Sequence, residues 1–193
     1  MGGLGGLYLG TAAADIHFHE TYFVVGHFHF TIGTVTFFGL FAAIYYWFPK
    51  MFGRLLSEPL GRIHFWLTIF SMFTMFTLMH LQGMNHLIRR TFESAYDFQK
   101  PATTMHPLIS GFAFVMAAAQ FVFLYNFFRS AFRGEKAAAN PWHAASLEWT
   151  TESPAPHGNW PGEMPVVHRG AYDFAPNGGE KDYALQNEPA SHA

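Results

Sequence analysis

An all-α membrane protein with three transmembrane helices is the fold class this sequence predicts, and three observations predict it. Half of the 193 residues are hydrophobic and only 12% are charged, about half the charged share of an ordinary soluble domain. Three stretches, 21–49, 63–88 and 101–128, contain no Asp, Glu, Lys or Arg. Their lengths of 29, 26 and 28 residues exceed the roughly 20 needed to cross a hydrocarbon core. Aromatic residues gather near the ends, in Tyr45-Tyr46-Trp47 and at Trp66, as an interfacial belt requires. Each stretch takes helical form because a lone segment in lipid must satisfy its own backbone. A buried helical core in a large soluble protein is the alternative, and three consecutive stretches of this length argue against it.

The elements follow in order. Residues 1–20 are rich in glycine and lack a basic leader. They read as a loop, or as half of a helix cut off at its start. The first span covers 21–49, and the loop 50–62 after it carries Lys50, Arg54 and Arg62 against Glu58. The second span covers 63–88, followed by a connection at 89–100. The third covers 101–133 and meets Arg129, Arg133 and Lys136 at its end. Basic residues in short loops mark the cytoplasmic side. The loop 50–62 and the tail 134–193 therefore lie inside, while residues 1–20 and 89–100 lie outside. Arg89-Arg90 break this pattern and call for an anionic partner at the outer face, unless they do no more than stop a helix. The tail, with "ESPAPHGNWPGEMP", has no periodicity and reads as extended or disordered. Its His143, His157, His168 and His192 are scattered and read as solvated.

Some function classes drop out early. With no cysteine, disulfides and thiolate-held metals are excluded within this chain. A net charge of −2 points to no nucleic-acid partner. The informative residues are His27 and His29, flanking Phe28 inside the first span. Ionisable groups at membrane depth are functional candidates. One such histidine is as often a structural one bonded to a nearby carbonyl. Two residues apart on an α-helix, however, the pair projects to nearly opposite flanks. They cannot readily chelate one metal, but each can serve a separate centre. A neutral imidazole suits haem iron, whose macrocycle supplies the other nitrogens. Phe23, Gly26, Phe28, Phe30 and Gly33 would then wall a large planar cofactor, although such a stripe alone is more often core or lipid-facing. Propionates at the outer face would explain Arg89 and Arg90, since guanidinium forks pair with carboxylates. His19-Glu20 is a weak candidate for a hard cation, offering two ligands of about six.

These residues resemble the C-terminal part of subunit I of the haem–copper oxidases, of the cytochrome c oxidase type. The stretches "ADIHFHETYFVVGHFHF", "WFPKMFGRLLSEPLG", "HFWLTIF", Met79-His80 to Arg89-Arg90 and "NPWHAASLEW" carry the resemblance over most of residues 3–150. It implies that the spans are the last three of a twelve-helix bundle, with an extended cytoplasmic tail and the orientation deduced above. It also implies two haems of a type. His27 would be the proximal ligand of the high-spin haem that faces copper, and so catalytic; His29 would be an axial ligand of the low-spin haem, and Phe28 would lie between them. Asp15, Arg89 and Arg90 match residues at the propionates, and His19 and Glu20 match a magnesium pair. The family usually has Asp at Glu20, and Gly-Met-Pro where this chain has His86-Leu87-Ile88.

The family's copper ligands and proton channels precede this region. The expectation is therefore a naturally split subunit or a fragment, needing the N-terminal part of subunit I, subunits II and III, the lipid bilayer and cytochrome c as donor. The implied activity is that of a proton-pumping terminal oxidase reducing oxygen to water in a bacterial inner membrane. A quinol oxidase of the same superfamily and an unassembled membrane fragment without activity are the alternatives. A b-type di-haem protein is disfavoured because His80 and His86 share no helix face, and His64 and His106 read as interfacial.

Overall fold

The computed structural model describes residues 1–92, 96–173 and 184–189. The rest of the tail, including His192, and residues 93–95 of the second connection lie outside the described residues. Among the described residues every regular element is helical. Strand-like pairing is limited to two isolated bridges, Thr21 with Ile88 and Arg54 with Lys136. Three stretches are long and apolar enough to cross a membrane: Tyr22–Phe52, Glu58–Met84 and Asp97–Arg133. The described residues divide into two compact units.

The first unit holds residues 1–43 and 58–126. Where the sequence leaves open a loop or half of a helix at 1–20, the chain forms α1 (Gly2–Gly10) and α2 (Ala12–Phe18). Glycines in a helix cost roughly 1 kcal/mol each relative to alanine. Here they let the α1 backbone lie against imidazole rings, a tertiary gain that propensity does not register. A side-chain carbon on Gly5 would come within 3.0 Å of His80 Nε2 and 3.3 Å of His27 Nδ1. Glu20 then takes a left-handed turn at φ 57°, and Thr21 caps the next helix by accepting from Phe23 N–H at 3.2 Å.

The first span consists of α3 (Tyr22–Phe28), a π turn at His29–Gly33 and α4 (Thr34–Phe52). The second is α5 (Glu58–Met84), which begins five residues before the charge-free stretch. Pro59 pre-sets the backbone of its first turn, and Arg62 Nε bonds Glu58 Oε1 at 3.1 Å one turn on. The helix also stops four residues early. Leu87 N–H bonds Gln82 O at 3.1 Å and His86 N–H bonds Gly83 O at 3.0 Å, with His86 at φ 58°. This is a Schellman stop, with histidine where glycine is usual. The third span is also interrupted. A 3-10 turn at Asp97–Gln99 and α6 (Lys100–Thr103) precede α7 (His106–Arg133), since Pro101 and Pro107 each favour a helix start.

Small residues set the closest approach between α3 and α5, as in membrane helix pairs generally. A side-chain carbon on Gly83 would collide with the backbone of Phe23, and one on Gly26 would lie 2.5 Å from His80 Nδ1. Beyond this crossing, Met72, Met75 and Phe76 are buried and packed by Phe30, Phe38 and Phe112. Residues of all three spans thus share one core.

The second unit holds residues 44–57 and 127–193. Its tail residues are not simply extended. A 3-10 turn at Leu147–Thr150 buries Trp149 to 2% exposure, and Trp149 Nε1–H donates to Tyr46 Oη at 2.7 Å. Lys50 Nζ donates to the carbonyls of Ala139, Thr151 and Glu152 and lies 5.0 Å from the Trp149 ring centre. Aromatic and lysine anchors at the end of α4 therefore organise a segment whose composition alone suggests disorder.

Candidate functional site

His27 and His29 sit where α3 passes into the π turn. His27 Nδ1–H donates to Gly2 O at 2.8 Å, and His29 Nδ1–H donates to Val25 O at 2.8 Å. A carbonyl only accepts, so in both contacts Nδ1 carries a proton, and in the neutral imidazole this leaves the lone pair on Nε2. The rings face different elements. His27 lies against α1, with a carbon on Gly6 reaching 3.0 Å from its Cε1, whereas the His29 ring centre is 5.1 Å from that of Phe76 on α5. Phe28 is exposed, its ring centre 4.5 Å from that of His29.

Sequence spacing overlooks His80 as part of this site, because its nearest histidine partners along α5 share no face. The structure places it beside His27 across Gly5 and Gly26. Its Nδ1–H bonds Phe76 O at 2.8 Å, and its ring centre lies 4.7 Å from that of Phe23 and 5.7 Å from that of Phe30. Glycines at 5 and 26 carry the signal that could have found it, since each marks a close approach to a ring. His64, by contrast with the interfacial reading, is buried to 2% exposure and bonds Gln120 Oε1 at 3.3 Å.

The charged residues gather beside this site. Residues 20–22 pair with 87–89 through Tyr22 N–H to Leu87 O and Arg89 N–H to Glu20 O, both 2.9 Å. That pairing brings the Arg89 fork onto Glu20, with Nε to Oε2 at 2.9 Å and Nη2 to Oε1 at 2.7 Å. The Arg89 hydrogen bond and charge, with Arg90 and His19 adding to them, hold the Glu20 carboxyl below its ordinary pKa of 4.5. Arg89 is pushed above its own ordinary value by the same contact. Arg90 is largely exposed and 3.8 Å from Glu20 Oε2. His19 lies between Asp15 Oδ2 at 3.8 Å and Glu20 Oε1 at 3.6 Å.

Two implied groups can be tested against these residues. Haem iron fits His27 and His29: each ring is oriented by a carbonyl, with Nε2 left to ligate, which is how a ligating histidine is normally held. Magnesium does not fit His19 and Glu20 as they stand. They offer two of about six ligands, and both Glu20 oxygens already accept from a guanidinium whose charge repels a cation. Among the described residues no three His, Asp or Glu side chains converge as a metal site. Within this chain Glu20 forms an ion pair with Arg89.

Residues 1–118 match the model of the family described as cytochrome c and quinol oxidase polypeptide I. The chain belongs to this family. Among its relatives, the alternative cytochrome c oxidase subunit 1 of Bradyrhizobium diazoefficiens is 41% identical over 97% of this chain and 32% of the relative. Cytochrome c oxidase subunit 1 of a Synechocystis strain is 45% identical over 90% of this chain and 31% of the relative. The Bacillus subtilis protein of the same name is 39% identical over 86% of this chain and 26% of the relative. The chain thus spans about a third of the length of the curated relatives it matches. Its three stretches long and apolar enough to cross a membrane accord with membership of this family.

Proposed function

We propose that this chain supplies one axial ligand to each of two haems in subunit I of a respiratory terminal oxidase. His27 would hold the iron of the high-spin haem and His29 that of the low-spin haem, with Phe28 between them. The haems, when bound, supply the electron-transfer and oxygen-reducing chemistry. The chain's residues orient and insulate. Gly2 O and Val25 O fix the two imidazole tautomers, and Gly5 and Gly6 let the α1 backbone pack closely on the His27 ring. Arg90 and the unshared N–H groups of Arg89 would hold propionates, with Asp15 near the high-spin one. Glu20 would fix the Arg89 fork rather than bind magnesium.

The observation that carries this reading is the pair of carbonyl-oriented imidazoles, two residues apart, facing α1 and α5. Copper would be held by the N-terminal part of subunit I, and subunits II and III would complete the assembly. The relatives' names support cytochrome c, rather than quinol, as the donor; reduction of oxygen to water and proton pumping would be the work of the whole subunit, as the resemblance implies. The setting would be a bacterial inner membrane, with residues 1–20 and 89–100 outside and 50–62 and 134–193 inside.

In the assembled oxidase, His27→Ala is expected to abolish the high-spin haem spectrum and spare the low-spin one, and His29→Ala to do the reverse. Normal spectra in both variants would show the ligand assignment to be wrong. Turnover of the assembled enzyme with reduced cytochrome c against a quinol separates the two donors.

A further inference from the structure

We propose that Thr31 is a positioning residue for both axial histidines, an inference that rests on the ligand reading of His27 and His29. Thr31 stands in the middle of the π turn His29–Gly33. Such turns are rare and occur mostly at functional sites, because the wider turn rotates one stretch of helix relative to the next. Here the turn follows directly on the two ligands, and Thr34 N–H reaches back five residues to His29 O.

Two parts of the Thr31 side chain act on this turn. Its hydroxyl donates to His27 O at 3.3 Å and to Phe28 O at 3.2 Å. A helical threonine commonly bonds back to a carbonyl three or four residues earlier, so this contact alone would be ordinary. In this chain the accepting carbonyls belong to His27 and Phe28, beside the point where the hydrogen-bond register changes. The methyl group has a separate task. A side-chain carbon on Gly2 would lie 2.8 Å from Thr31 Cγ2 and 3.2 Å from Thr31 N, so the Gly2 backbone is seated on Thr31. Gly2 O is the group that accepts from His27 Nδ1–H at 2.8 Å. The hydroxyl therefore sets the register of the ligand-bearing turn, on which both rings depend. The methyl sets the place of the carbonyl that orients His27 alone.

This division of roles predicts a split that a general packing role would not produce. Thr31→Val keeps the shape and removes the hydroxyl, while Thr31→Ser keeps the hydroxyl and removes the methyl. In the assembled oxidase, Thr31→Val is expected to shift the absorption maxima and midpoint potentials of both haems. Thr31→Ser is expected to shift only the high-spin haem and to leave the low-spin haem at its wild-type position. Unchanged spectra and potentials in Thr31→Val, with His27→Ala and His29→Ala each losing its own haem signal, would overturn the proposal while leaving the ligand reading intact. Equal shifts of both haems in Thr31→Ser would also overturn it. Retention of both haem signals in the two alanine variants would instead mark failure of the ligand reading, and the proposal falls with it.

Discussion

A methyl group at position 26 has no room. It would lie 2.5 Å from His80 Nδ1, 2.9 Å from its Cε1 and 3.0 Å from the His80 backbone nitrogen. Because a backbone atom is among the obstacles, a rotamer change cannot relieve the clash, and α3 and α5 must separate. Overpacking of this kind costs about 1–3 kcal/mol, so Gly26→Ala is expected to lower the thermal inactivation temperature of the assembled oxidase and to weaken retention of its haem. His86 presents the opposite case. It occupies a left-handed helix stop at φ 58°, a conformation that costs most side chains about 1–2 kcal/mol. Glycine enjoys that geometry freely but gains entropy in the unfolded chain. His86→Gly should therefore stabilise by only about 0.5–1 kcal/mol, read as a rise in the same inactivation temperature.

At the level of elements, polar contacts hold segments that lipid alone would not sort. Gln120 on α7 accepts from His64 Nε2–H at 3.3 Å, and its amide donates to Thr68 Oγ1 at 3.4 Å and to Met116 O at 3.0 Å. His64 and Thr68 lie on α5 and are almost fully buried. Gln120→Leu removes the shared partner and is expected to weaken the α5–α7 pair by roughly 1 kcal/mol, a typical size for hydrogen bonds between membrane helices. Increased amide exchange along α7 is the measurement. The pairing of 20–22 with 87–89 is pH-sensitive instead. The Glu20 carboxyl is held below its ordinary 4.5, so its contribution is present above that value and is lost as pH falls through the lower folded-state value. Protection of the Arg89 amide, whose N–H bonds Glu20 O, taken relative to its intrinsic exchange rate at each pH, should be high at neutral pH and lost only on strong acidification. Glu20→Gln should show the lower protection already at neutral pH.

For the whole molecule, membrane character was legible because a charge-free run needs no partner to be recognised, and each of the three runs became helical, the first with a π turn within it and the third in two pieces. The ends of those helices were less legible. They depend on Pro59, Pro101, Pro107 and the left-handed His86, whose effects extend past the apolar composition that marks a span. The N-terminal glycines leave loop and half-helix both open in the sequence for a related reason: low helix propensity says nothing of a histidine ring waiting to receive the backbone. By itself the sequence determined the helical membrane class, the family and the His27-Phe28-His29 motif, since charge, length and short-range spacing are properties of the chain. Only tertiary structure decided that His80 joins His27, that Glu20 meets Arg89, and that Gly2 O orients the His27 ring. Those contacts form between residues whose distance along the chain bears no relation to their distance in space, and the close approaches at Gly5, Gly26 and Gly83 bring them together.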